Sequence, residues 1–232
     1  MGKLILVATP IGNLEDLSPR AVSTFLKADL VLAEDTRRSG LLLSQLKISR
    51  PLLSLHEHNE LGRIPEVLKK LHEDKTVALV SDAGTPTLSD PGFKLVREAI
   101  KAGFRIEVVP GPSAALTALV GSGLPTDRFI FVGYLPKTAG KAEKLLLSSK
   151  KALEALPATL ILFESPHRLL KTLEKLQKFF PGCQLVLARE LTKLHEEFIR
   201  GSVEEVTDKI GAQRIRGEFT LVLREQVPPG HT

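Results

Sequence analysis

Tryptophan is absent from these 232 residues, and cysteine, methionine and tyrosine occur once each. The lone Cys183 has no partner for an internal disulfide and no companions for a cysteine metal cluster. The expectation is therefore a cytoplasmic chain without a structural metal. Aromatic residues amount to 5%, too few for a platform on which successive unpaired bases stack. Apolar runs such as Leu4–Ala8 and Thr159–Phe163 fall far below the roughly 20 residues that cross a bilayer. Met1–Lys3 and the short run behind it lack the length and cleavage site of a signal peptide, and read as a first strand. The fingerprints G-x-G-x-x-G, G-x-x-x-x-G-K-S/T and G-x-S-x-G are missing too. Dinucleotide binding, nucleoside-triphosphate binding and a hydrolase elbow by those routes are thus unsupported.

What is present has the composition of an ordinary globular chain, 43% hydrophobic and 25% charged, of a length that suits roughly one to two domains. Lysine and arginine outnumber aspartate and glutamate 32 to 27, a net charge of +5. Such a field suits an anionic partner, an RNA or an acidic small molecule alike. In the first half, Leu4–Ala8, Leu30–Ala33, Pro51–Leu55, Val77–Val80 and Arg105–Val109 alternate with segments of helical spacing. That pattern predicts a mostly parallel sheet covered by helices. Ile64, Val67, Leu68 and Leu71 mark one such helix, and Phe93–Ala102 another that Gly103 stops. The pattern changes at Val120-Gly-Ser-Gly-Leu-Pro125. This sets an expected N-terminal α/β domain over 1–120, a smaller mixed α/β domain over 121–227 and a loose tail over 228–232. In the second half, strands are expected over Phe129–Gly133, Thr159–Phe163, Leu185–Ala188 and Glu218–Leu223. The lysine-rich Pro136–Lys151 follows the first of these, and helices are expected over Leu169–Phe180 and Val203–Ile210.

Ligands of open parallel sheets bind beyond the carboxyl ends of the strands. Those ends read Thr9-Pro-Ile-Gly-Asn-Leu14, Glu34-Asp-Thr-Arg-Arg38, His56-Glu-His-Asn-Glu60, Ser81–Gly92 and Pro110-Gly-Pro-Ser-Ala114. All five hold turn residues or dense polar groups, whereas the amino ends, such as Lys27-Ala-Asp29 and Ala102-Gly103, are bland. The asymmetry predicts a functional cleft on one edge. His56 and His58 form an H-x-H pair, but no third and fourth ligand accompany them, so no metal site is expected.

In order along the chain stand Val7-Ala-Thr-Pro-Ile-Gly-Asn-Leu14, Ala33-Glu-Asp-Thr-Arg37, His56-Glu-His-Asn59 and Val80-Ser-Asp-Ala-Gly-Thr-Pro86. Ser89-Asp-Pro-Gly92, Pro110-Gly-Pro-Ser-Ala114, Gly123-Leu-Pro-Thr-Asp-Arg-Phe129, Glu164-Ser-Pro-His-Arg168 and Ala188-Arg-Glu-Leu-Thr-Lys193 follow. This ordered set, from Leu4 to about Leu223, resembles the 16S ribosomal RNA 2′-O-ribose methyltransferases that act on a decoding-region cytidine, within the tetrapyrrole methylase superfamily. The resemblance implies a two-domain tetrapyrrole-methylase-like α/β fold, S-adenosylmethionine held between the domains, 16S rRNA within the 30S subunit as substrate, and a homodimer. It implies neither DNA nor a membrane as partner. Larger members carry a helical C-terminal extension that this sequence does not show after Val227. A small-molecule methyltransferase acting on a tetrapyrrole is the main rival, and a non-catalytic RNA-binding protein of the same fold a second. The rival's first loop is expected to be glycine-rich, and Thr9–Leu14 is not.

For the cofactor, the resemblance points to Pro10, to Asp82, Ala83, Gly84, Thr85 and Leu88, and to Ser113 and Ala114. From the second domain it adds Phe163, Glu164, Leu191, Gly217 and Glu218. Small residues at 83 and 84 let the backbone approach a ligand, and free N–H groups can hold a carboxylate. Asp82 can face the cofactor's cationic end or cap a helix, Ser113 can cap one as well, and Ser89-Asp90 before Pro91 also fits a cap. A ribose 2′-hydroxyl needs a nearby base or cation to attack a sulfonium methyl. Glu34, Asp35, Arg37, His56, Glu57 and Asn59 are the candidates. Asp35, Arg37, His56 and Asn59 are the expected catalytic group, with Asp35 or His56 taking the proton. Asp35 also reads as a helix N-cap. For RNA, the expected contacts are Arg37 and Arg38, the run Lys137, Lys141, Lys144, Lys150 and Lys151, and Arg168. A lysine run can equally be a solvated helix face.

Overall fold

The computed structural model describes residues 2–211 and 215–225, so the expected loose tail lies outside the described residues. The chain divides into two compact units, Met1–Ser113 and Ala114–Thr232.

The first unit carries strands β1 (Lys3–Val7), β2 (Leu30–Ala33), β3 (Leu52–Ser54), β4 (Thr76–Val80) and β5 (Arg105–Val109). They form one wholly parallel sheet in the order β3-β2-β4-β1-β5. Helices α1 (Pro19–Lys27), α2 (Thr36–Gln45), α3 (Glu60–His72) and α4 (Phe93–Lys101) cover both faces. Side chains alternate along a strand, so a sheet buried on both faces needs continuous apolar runs. In β1, Ile5 and Val7 pack with Ala21 and Phe25 of α1 and Leu43 of α2. Leu4 and Leu6 face the other way, onto Ile64 and Val67 of α3 and Leu95 of α4. The chain therefore leaves β1 and its neighbour β4 toward opposite faces, which opens a crevice beyond their carboxyl ends.

Local sequence explains two of these four helix starts. Ser18 caps α1 through its bond from Ala21 N–H, with Pro19 in the first turn. Asp35 caps α2 as expected. Helix α4 has Gly92 at its N-cap, at φ +115°, and no cap from its own segment. The buried Glu60 of α3 substitutes, its Oε1 accepting Leu95 N–H at 3.0 Å. Asp90 does not cap this helix.

The second unit runs α5 (Ala114–Ser122), β6 (Phe129–Tyr134), α6 (Ala139–Ala155), β7 (Thr159–Glu164), α7 (Leu169–Phe179), β8 (Gln184–Arg189), β9 (Glu197–Gly201), α8 (Val203–Gly211) and β10 (Phe219–Arg224). Its sheet is mixed, β6-β7-β10-β8-β9, with only β6 and β7 parallel. The division falls seven residues before the expected 120/121 boundary because α5 packs on β10, β7, β8 and β9 of this sheet. With α5 included, the second unit is no smaller than the first. Gly121 permits the approach: a Cβ there would stand 2.5 Å from Cζ of Phe198. Edge strand β9 is a further difference, since the charged His195-Glu-Glu197 masks the short apolar stretch behind it. No helix among the described residues is long and apolar enough to cross a membrane.

Candidate functional site

The carboxyl ends of β1 and β4 are joined by two backbone bonds. Thr9 N–H donates to Gly84 O at 2.9 Å, and Gly84 N–H to Thr9 O at 3.0 Å. Gly84 sits at φ +80°, and a Cβ there would lie 3.3 Å from Ile11 Cγ2 and 3.7 Å from Pro112 O, so a side chain at this position would press on the first loop and on the loop after β5. Thr85 Oγ1 donates to Pro112 O at 3.1 Å, tying the loop after β4 to the loop after β5. Within the first unit, Pro10, Ala83, Gly84 and Thr85 thus belong to one connected edge, with Leu88 farther along the same loop and 38% exposed. Ser113 lies on the exit from β5. Its hydroxyl is buried and has no hydrogen-bond partner, so Ser113 does not cap α5 and its Oγ is left for a ligand. Between Ser81 and Gly92, Thr87 (φ 71°) and Ser89 (φ 69°) hold left-handed backbone, a strain that accumulates at functional loops.

Asp82 reaches across to the end of β2. Its Oδ1 accepts Asp35 N–H at 2.9 Å and its Oδ2 pairs with Arg38 at 3.3 Å. Asp82 thus clamps the start of α2. Asp35 accepts Arg37 N–H at 2.9 Å, Arg37 Nε at 3.0 Å and Arg37 Nη2 at 2.7 Å. These bonds from Arg37 hold its carboxyl well below the usual range, which makes Asp35 a poor proton acceptor. Asn59 is occupied structurally: Oδ1 accepts His56 N–H at 2.8 Å and Nδ2 donates to Ser54 O at 3.2 Å. It fixes the turn after β3. His56 Nδ1 is buried and unpartnered, and its ring meets His58 edge-on at 6.1 Å. Among the described residues no group of three or more His, Cys, Asp and Glu is arranged to hold a metal ion.

Two further acidic groups stand out, Glu34 from the wider set of candidates and Asp90 from the expected helix cap. Burial, then Asp90 and Asp82, push the Glu34 carboxyl up to about 7. Burial pushes Asp90 up to about 6, the charge of Asp82 adding to it while a Ser81 hydrogen bond opposes. Ser-Asp-Pro-Gly reads as a helix start, and Glu34 as one of several candidates at the strand ends. Nothing local marks either as desolvated.

In the second unit, Phe163 packs on Phe131 at 4.9 Å and Tyr134 at 5.6 Å between ring centroids. Glu164 has no exposed side-chain surface. It accepts Ser165 N–H at 2.7 Å and Thr172 Oγ1 at 2.6 Å, and pairs with Arg168 at 2.8 Å. Its side chain is therefore a structural anchor, and only its backbone is left for a cofactor. Arg168 also donates to Leu135 O at 2.8 Å, so this expected RNA contact is engaged internally. Leu191 is buried between Glu190 and Thr192, both at positive φ. Glu190 covers Gly217, at φ +97°, and its Oε1 accepts Glu218 N–H at 2.9 Å. Lys137, Lys141, Lys144 and Lys151 are exposed and Lys150 is half-buried. Lys137 precedes α6; on the helix, Lys144 and Lys151 lie opposite the buried stripe of Ala142, Leu146, Ser149 and Leu153, and Lys141 and Lys150 flank it.

The tetrapyrrole (corrin/porphyrin) methylase family matches residues 3–207. A protein of Thermotoga maritima named ribosomal RNA small subunit methyltransferase I is 48% identical over 223 residues, spanning 96% of this chain and 98% of its own. Its namesake in Escherichia coli O157:H7 is 46% identical over 96% of this chain and 77% of its own. Among solved structures, the methyltransferase CobJ superposes with a TM-score of 0.70 at 18% identity, covering 99% of this chain and 98% of its own. Uroporphyrin-III C-methyltransferase from Thermus thermophilus, complexed with S-adenyl homocysteine, superposes at 0.66 with 19% identity, covering 97% and 98%. The structural likenesses establish the fold, and the sequence matches establish the kinship: the chain is a methyltransferase belonging to the ribosomal RNA small subunit methyltransferase I family, within the tetrapyrrole methylases.

Proposed function

We propose that the chain transfers a methyl group from S-adenosylmethionine to the ribose 2′-hydroxyl of a decoding-region cytidine in 16S rRNA, acting on the 30S subunit as a cytoplasmic homodimer. The observation that carries this is the 48% identity to a named rRNA methyltransferase over 96% of the chain. The first unit supports it with a ligand edge at the place where doubly wound sheets bind theirs. S-adenosylmethionine, when bound, supplies an electrophilic sulfonium methyl. The unpartnered Ser113 hydroxyl suits its polar methionine end. Alignment of the attacking oxygen accounts for much of such a displacement, and the cross-braced loops after β1, β4 and β5 give the rigidity it needs.

Purified protein, labelled S-adenosylmethionine and unmodified 30S subunits should yield a ribose-methylated cytidine in the decoding region, with naked 16S rRNA a poorer substrate. Label passing only to a tetrapyrrole would overturn the reading in favour of the small-molecule rival. Binding without transfer would favour the non-catalytic one.

The exposed lysines of α6 are the RNA-facing surface in this reading. Replacing Lys141, Lys144, Lys150 and Lys151 together by glutamine should weaken particle binding at low salt. It should also shallow the plot of log affinity against log salt, by about 0.7–0.9 for every phosphate these lysines no longer neutralise. An unchanged slope places the RNA on another face.

A further inference from the structure

The carboxyl end of β2 meets the end of β4 through the pairing of Ala33 with Val80. Glu34 is the next residue out, half-buried, against the loop that carries Asp82 and Asp90. Two of its acidic neighbours are already occupied. Asp35 is bound by Arg37, and Asp82 is shared between Asp35 N–H and Arg38. Glu34 is governed instead by its surroundings: burial comes first, then the charges of Asp90 and Asp82. Arg38 opposes them and Asp35 adds slightly to them. His56 follows β3, the strand on the other side of β2. On the same edge, independently, the buried Ser113 hydroxyl is unpartnered and Thr87 and Ser89 are held at positive φ.

We propose that Glu34 is the catalytic base that takes the proton of the ribose 2′-hydroxyl, a role that rests on the reading of this chain as a 2′-O-methyltransferase. The 2′-oxygen forms a bond to the sulfonium methyl carbon while the carbon–sulfur bond breaks. The electron pair of that bond stays on sulfur, leaving S-adenosylhomocysteine, and the 2′-hydroxyl proton passes to Glu34 and then to water. A carboxylate at its ordinary value is too weak a base for this step at neutral pH. One raised to about 7 is matched to it, being deprotonated often enough and basic enough together. Asp90 and Asp82 tune that basicity, and Arg38 keeps the cluster from excess negative charge.

Single-turnover methylation of 30S subunits across a pH range of about 5.5–9, bracketing that value, tests the assignment. For the wild type, the rate should climb with pH and level off above about 7. Glu34→Gln should lower the plateau by about 10²- to 10⁴-fold and abolish the climb. Its affinity for S-adenosylmethionine, by calorimetry, should stay within a few-fold of wild type. Glu34→Asp should recover part of the rate with a displaced midpoint. Misfolding is separable by its opposite sign in thermal stability. Folded Glu34 keeps a proton that the unfolded chain releases from its ordinary 4.5 upward, so Glu34 makes stability fall as pH rises from 4.5 to about 7. Glu34→Gln removes that loss, and its Tm at a pH of about 8, above the folded value, should equal or exceed wild type. An active wild type whose Glu34→Gln variant keeps more than a tenth of the rate, or keeps the wild-type pH climb, overturns this assignment alone. A wild type that methylates no ribose in the particle overturns the functional reading and this role with it.

Discussion

Glu164→Ala is expected to destabilise the second unit by about 3–5 kcal/mol, the usual consequence of deleting one partner of a buried ion pair. The Glu164 carboxylate has no exposed surface and serves three partners: Arg168, Thr172 Oγ1 and Ser165 N–H. Together they tie the last residue of β7 to the N-cap and first turn of α7. Removing the carboxylate leaves a half-buried guanidinium beside the Leu135 carbonyl and a buried hydroxyl without an acceptor. Glu164→Gln keeps the shape and one acceptor oxygen, and should cost about 1–3 kcal/mol. Urea unfolding followed by circular dichroism measures both. A cost below about 1 kcal/mol for Glu164→Ala would contradict the anchoring role. The glutamine variant also decides whether the side chain has any part in holding the cofactor. Folded Glu164→Gln should bind S-adenosylmethionine as wild type does, and a tenfold weakening would return the side chain to the cofactor site.

Gly84→Leu is expected to weaken S-adenosylmethionine binding by more than 100-fold, about 2.7 kcal/mol, while leaving a folded protein. The leucine crowds Ile11 and Pro112 O and intrudes between the loops after β1, β4 and β5. A left-handed φ on a non-glycine residue adds about 1–2 kcal/mol of strain, seen as a lower Tm. Gly84→Ala carries that strain with only one added carbon, so the pair separates strain from obstruction. Calorimetry at a temperature where both variants are folded should show alanine intermediate and leucine without measurable binding. Full affinity in the leucine variant would remove Gly84 from the cofactor site.

Much of this edge is legible from residue order alone. Strand-end motifs are local: Thr-Pro-Ile-Gly, Asp-Ala-Gly-Thr-Pro and Pro-Gly-Pro-Ser each declare a turn through residues with restricted or permissive φ, and all lie where the structure has strand exits. The cap at Asp35 is legible for the same reason, being a bond across two residues. Asp90 misleads because Ser-Asp-Pro-Gly is a good local helix start, whereas α4 takes its cap from Glu60, distant in the chain. At Glu164 and Arg168 the side-chain partners are equally hidden from residue order. A polar strand end looks available for a ligand until burial is known, and these two side chains satisfy each other. The strand β9 escapes notice because an edge strand of five residues carries too little alternation to stand out from its charged flank.

Hydrophobic periodicity and turn chemistry, both properties of neighbouring residues, are enough for the α/β class, the parallel first sheet and the edge on which ligand-facing loops gather. The partition of roles among Glu34, Asp35, Asp82 and Asp90 is not contained in that information. A carboxyl's basicity depends on desolvation and on charges brought from other strand ends. It is the folding of β2 beside β4 that buries Glu34 near Asp82 and Asp90 while giving Asp35 to Arg37.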